Sequence, residues 1–123
     1  MDFPTSISTC LLQKYADFST RASRSEYWFY TLFIFIISIV AIIIDTMILH
    51  YPIENDGPIN LIVLVVTFIP SIAVNARRLH DVDKSGWWQL IIFTIIGIPI
   101  FLYWVITKGT NGNNEYGEDS LSN

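Results

Sequence analysis

Three runs of this chain are too apolar to remain in water, and they limit its fold more than any other feature. Residues 27–44 (YWFYTLFIFIISIVAIII) contain no charge in 18 positions, residues 59–76 are 18 more with Pro70 and Asn75 among them, and residues 87–107 are 21 with Gly97 and Pro99 near the middle. A hydrocarbon core of about 30 Å needs about 20 helical residues, so each run is long enough to cross. Backbone groups in lipid must be paired within the segment, and three strands cannot close a barrel, which leaves helices. A soluble bundle is excluded on coverage. Only 15% of residues are charged, against roughly 25% in soluble domains, and helices apolar all round leave no polar face for water. The expected fold is an all-α membrane protein, one domain over 1–123. It has three transmembrane helices (about 26–46, 59–77 and 87–107), an N-terminal amphipathic interfacial helix (about 5–18) and a polar tail (108–123).

Local signals fill in the ends. Ile7, Cys10, Leu11, Tyr15 and Phe18 fall on one helical face, with Pro4 suited to the first turn. Such a stripe is expected to lie flat in the membrane interface, or else to pack on the ends of the spans. Ser23 followed by Glu26 matches a capping box opening the first span. Tyr27, Trp28 and Tyr30 form an interfacial anchor. Asn55-Asp56-Gly57-Pro58 marks a turn, and Pro70 removes a backbone donor and kinks the second helix. Gly97 and Pro99 admit two readings of the third run. The simpler is a kinked crossing helix; the other is a re-entrant hairpin that returns the tail to the side it came from.

The distribution of lysine and arginine sets an orientation. Three precede the first run (Lys14, Arg21, Arg24), none lies in the first loop, three lie in the second (Arg77, Arg78, Lys84) and one in the tail (Lys108). The positive-inside rule puts the N-terminus and loop 77–86 in the cytoplasm. With three crossings the C-terminus is then external.

The polar residues suggest binding more than catalysis. Arg21, Arg24, Glu26, Arg77, Arg78, His80, Asp81, Asp83 and Lys84 would gather at one membrane surface, with Trp87 and Trp88 as an interface belt. Pairs such as Glu26 with Arg77 or Arg78 would tie the first span to the second. Free arginine forks would instead hold phosphate head groups of anionic lipid, or a protein partner. His80, Asp81 and Asp83 match no metal spacing, and Arg77 and Arg78 would repel a cation. Ser25 or Ser85 with His80 and an aspartate lacks any nucleophile elbow. No phosphate loop, cofactor motif or nucleic-acid motif is present. The one cysteine, Cys10, makes no internal disulfide. A subunit of an oligomeric transporter or channel is the alternative role, although the central thirds of the spans carry no charge.

Four stretches in order resemble a known family. They are Arg21-Ala-Ser-Arg24-Ser-Glu26-Tyr27-Trp28, Arg77-Arg78-Leu79-His80-Asp81, Ser85-Gly86-Trp87-Trp88 and Gly109-Thr-Asn-Gly112-Asn-Asn114-Glu-Tyr116-Gly117. Over about residues 10–118 the chain resembles the bacterial inner-membrane family known as domain of unknown function 805. It departs at Thr20, where that family usually has glycine. The resemblance implies a small bacterial inner-membrane protein and brings no activity or catalytic residue. It also sets the tail motif, expected outside, among motifs expected in the cytoplasm.

Overall fold

The computed structural model describes residues 2–52 and 57–117. The Asn55-Asp56 part of the expected turn and residues 118–123 of the tail lie outside the described residues. The described chain is helical: α1 (Phe3–Ser8) continued by a π-helical turn (Thr9–Gln13), α2 (Arg24–Ile43) continued by a second (Ile44–Ile48), α3 (Pro58–Asp81), a 3-10 helix (Gly86–Phe93) and α4 (Gly97–Ile106). Among the described residues the only β pairing is an isolated bridge between Asn114 and Gly117.

Two helices are long and apolar enough to cross a bilayer. α2 with its π turn runs 25 residues and α3 runs 24, each about 36 Å at 1.5 Å per residue. Both point large apolar side chains outward, among them Phe35, Ile36, Leu61, Val65 and Phe68. Contiguous apolar surface on this scale has no counterpart on a soluble monomer and calls for lipid.

The helix ends show why the chain folds where it does. Ser23 Oγ accepts the amide of Glu26 at 3.3 Å, half of the expected capping box; the Glu26 carboxylate turns to Arg77 instead. The buried carboxylate of Asp45 caps α3, accepting from the amides of Ile59 (3.1 Å) and Asn60 (2.9 Å). It thereby binds the end of one span to the start of the next. α3 continues through Pro70. Proline has no N–H, so the carbonyl four residues earlier, Val66, has no helical donor. Tyr15 supplies one, its hydroxyl 2.5 Å from Val66 O. In an apolar surround that replacement matters, because no water is at hand.

Three expectations need correction. The N-terminal segment is not one helix over 5–18. It is helical only to Gln13 and packs along the spans: the Phe3 ring meets those of Phe29 and Phe33 edge-on, with centroids 5.8 and 6.4 Å away. Its most buried residues are the small Ser6, Thr9 and Cys10; of the predicted apolar stripe only Cys10 is fully buried, and these small side chains allow a close approach.

The run 87–107 does not form one helix either. It reverses direction at 94–96, ahead of the Gly97–Pro99 pair, so that Trp88 packs edge-on against Trp104 with centroids 5.8 Å apart. The bend pairs its own polar groups. Ile91 O accepts from Thr94 N (3.0 Å) and Thr94 Oγ1 (2.8 Å), and Thr94 Oγ1 accepts from Gly97 N (2.9 Å). Gly97 is required there because a Cβ would overlap Ile91 O and Thr94 Oγ1. The 3-10 arm of eight residues and the α4 arm of ten are each about 15 Å long, half a membrane core.

The tail therefore lies at the same end of the molecule as loop 77–86. Thr110 N donates to Asp81 O at 2.7 Å, and Asn114 Nδ2 donates to His80 O at 2.9 Å. The physical cause is the reversal at 94–96, which brings the chain back to the end from which it departed.

Candidate functional site

The last turn of α3 carries Arg77, Arg78, His80 and Asp81. About 100° separates neighbours on a helix, so these side chains reach different parts of the molecule. Arg77 faces α2, where its guanidinium pairs with Glu26 from the first turn of that helix. Both are buried, with side-chain exposures of 0% and 3%. The Cys10 thiol lies between them, 3.8 Å from Glu26 Oε2 and 3.8 Å from an Arg77 Nη. Burial, reinforced by the Glu26 carboxylate, pushes that thiol up to about 12. Among the described residues, the buried Arg77 Nε has no hydrogen-bond partner.

Arg78 points the other way, one turn from Asp81. Nη1 donates to Asp81 Oδ2 at 2.6 Å and to Ala22 O at 3.0 Å, Nε to Val105 O at 3.0 Å, and Nη2 to the carbonyl of Thr107. Arg21 comes in from the segment ahead of α2, held there by Ala22 N donating to Arg77 O at 2.9 Å. Its Nε meets Asp81 Oδ1 at 3.0 Å. Its two terminal nitrogens hold the tail, donating to Gly112 O (2.7 Å), Gly117 O (3.3 Å) and Thr110 O (2.6 Å). The Asp81 carboxylate thus joins two guanidinium groups that together reach the linker before α2, the end of α4 and the tail. Gly109 passes so close that a Cβ there would overlap this carboxylate.

His80 completes the junction. Nδ1 lies 2.9 Å from Thr20 O, and the ring stacks on Tyr116 at 4.0 Å with 1° between the planes. Three buried arginines face two buried carboxylates, and backbone carbonyls take up the surplus positive charge. Buried charge is tolerated only when it is paired and hydrogen-bonded, a condition Arg21 and Arg78 meet in full.

The expected site residues thus divide into two groups. Arg21, Glu26, Arg77, Arg78, His80 and Asp81 are buried together. Arg24, Trp87 and Trp88 are exposed, Lys84 is partly so, and the Lys84 ammonium sits 5.9 Å from the centre of the Trp104 ring. The forks of Arg21 and Arg78 are occupied by protein. Among the described residues, Arg24 and Lys84 make no ion pair. Sequence reasoning paired Glu26 with Arg77 or Arg78 and the structure selects Arg77; it missed Cys10, Asn114, Tyr116 and the tail carbonyls. Backbone acceptors leave no trace in residue identity. The tail motif was the only available signal, through its place in the family-like set.

Two membrane-length helices, lipid-facing apolar surface and a polar end closed by a buried ionic cluster define a small helical integral membrane protein. The chain belongs to the family described as "Protein of unknown function (DUF805)", which matches residues 15–118. It is similar to the Inner membrane protein YhaI of Escherichia coli (strain K12), 42% identical over 110 residues that cover 89% of this chain and 90% of that protein. It is also similar to the Inner membrane protein YhaH of the same strain, 36% identical over 110 residues covering 89% and 91%. No solved structure matches.

Proposed function

We propose that this chain is a non-catalytic inner-membrane module whose polar end faces the cytoplasm and engages anionic lipid head groups through Arg24 and Lys84. α2 and α3 cross the bilayer, and the 3-10 arm and α4 dip into one leaflet and return. The observation that carries the reading is the segregation of charge. With the tail folded onto loop 77–86, all seven lysines and arginines of the chain belong to the same polar end, and the connection between α2 and α3 has none. That is the strongest positive-inside bias this sequence could have. It moves the C-terminus from the expected external side to the cytoplasm.

At that end Arg21, Arg77 and Arg78 act as a structural latch. Head-group attraction falls to the four cations left outside it, Lys14, Arg24, Lys84 and Lys108, each contributing about 1 kcal/mol near an anionic surface; Arg24 opens α2 and Lys84 stands just ahead of the 3-10 arm. A reporter fused after Asn123 should read as cytoplasmic; an external signal would end the topology. Native mass spectrometry should show an Arg24→Gln/Lys84→Gln variant losing much of the preference for phosphatidylglycerol over phosphatidylcholine while keeping its fold. Wild-type protein with no such preference would remove the lipid role.

A further inference from the structure

A groove of about 390 Å³ runs between the two arms of the hairpin. Lys84 stands at one end, the Trp88–Trp104 pair flanks the upper part, and Ile91, Ile96 and Ile100 continue the lining below. Chain order gives the groove a direction. Lys84 precedes the 3-10 arm at the polar end of the molecule, whereas Ile96 sits at the reversal. The seven steps from Gly97 to Trp104 put about 10 Å of helix between the two ends. One cation on top of an apolar trough, with indole rings at the boundary, is the polarity of a phospholipid standing in a leaflet.

The charge at the mouth is uncommitted. Among the described residues Lys84 has no carboxylate partner. Its contact is the Trp104 face, which orients an ammonium without neutralising it. The base of the groove is fixed by the bend, closed by the paired Thr94 turn and by Gly97 packed under Ile91 O.

We propose that this groove is a site for one anionic phospholipid, with an acyl chain between the arms and the phosphate on Lys84. The inference rests on the cytoplasmic, half-depth placement of the hairpin argued above, and it replaces diffuse head-group attraction with a single seat. Arg24 is not part of it; that residue borders a different depression, beside Ser25 and Trp28.

The test uses the full chain in mild detergent, titrated with phosphatidylglycerol or phosphatidylcholine and read by native mass spectrometry. Wild type should retain one phosphatidylglycerol at concentrations where further lipids do not bind, about fivefold more tightly than phosphatidylcholine. Lys84→Gln should abolish that ratio but leave one lipid of either kind. Ile100→Trp, which fills the trough, should abolish the single bound lipid while Arg24 still gives weak, graded binding of anionic lipid. A graded anionic preference in wild type without a discrete first lipid would overturn the groove and leave the head-group reading standing. No anionic preference at all would overturn both. A second measurement needs no groove substitution. In a Trp28→Phe/Trp87→Phe background excited at the red edge of the indole band, only Trp88 and Trp104 of the four tryptophans fluoresce. A small fraction of chain-brominated phosphatidylglycerol in phosphatidylcholine vesicles should quench them at least twofold more than the same fraction of brominated phosphatidylcholine. Equal quenching refutes the site.

Discussion

Replacing Arg78 by lysine separates charge from shape at the centre of the polar junction. Arg78 distributes its donors over four acceptors: Ala22 O and Val105 O at 3.0 Å, Asp81 Oδ2 at 2.6 Å, and the carbonyl of Thr107. They belong to three stretches of chain, the linker before α2, α3 itself and the end of α4. Lysine keeps the positive charge, but its three donors radiate from one nitrogen and cannot reproduce the planar fork. The pairing with Asp81 can persist while at least two bonds to backbone carbonyls are lost. Hydrogen bonds from a charged group contribute about 1.5–3 kcal/mol each, so the loss should be about 3 kcal/mol or more. In a chain of this size that corresponds to a fall of roughly 10 °C in the thermal midpoint, read by circular dichroism in detergent. Because α4 and the tail lose their anchor, trypsin should also cut after Lys108 faster than in wild type. If Arg78→Lys stays within about 1 kcal/mol of wild type and Lys108 remains protected, the positive charge suffices and the fork geometry is irrelevant.

Three further outcomes follow from the same coordinates. Tyr15→Phe should cost about 1–3 kcal/mol by orphaning Val66 O, yet little in a Pro70→Ala background, where residue 70 regains its own donor; equal costs in both would sink the substitution argument. Gly97→Ala should cost about 1–3 kcal/mol through overlap with Ile91 O, seen as a lower unfolding midpoint and a changed Trp88–Trp104 fluorescence spectrum. Cys10, pushed from its ordinary 9.0 up to about 12 by burial and by Glu26, should resist alkylation at pH 8 until the protein is unfolded. Its contribution to stability is fully present below about pH 9 and is lost as pH rises toward 12, because the unfolded thiol ionises first; a midpoint that does not fall above pH 9 in wild type relative to Cys10→Ala would contradict this.

How much was legible in the sequence differs from residue to residue. Ser23 was readable as a cap because its side chain acts within four residues of itself. Glu26 and Arg77 were readable as partners because the spans they belong to must run side by side. Asp45 was not, although it is as buried as any acid among the described residues: its role as the cap of α3 depends on a connection folding back onto the next helix. Tyr15 was taken for part of an apolar stripe, and nothing local tells that its hydroxyl reaches the carbonyl freed by Pro70. Whether the arginine forks are paired or free could not be read, since guanidinium groups satisfied by backbone carbonyls look the same in sequence as those facing solvent.

The apolar runs by themselves determined that this is a helical membrane protein, because transfer of apolar surface depends on composition and length and hardly at all on partners. The segregation of lysine and arginine likewise grouped the N-terminal segment with loop 77–86, for charge is carried by residue type, though it set the tail apart from them. Only the tertiary structure decided that the last run turns back at 94–96 and that the tail closes over Asp81. A helix that crosses and a pair of half-length arms bury nearly the same apolar surface. What separates them is where a few hydrogen bonds fall, from Thr94 at the bend and from Arg21 and Arg78 at the polar end.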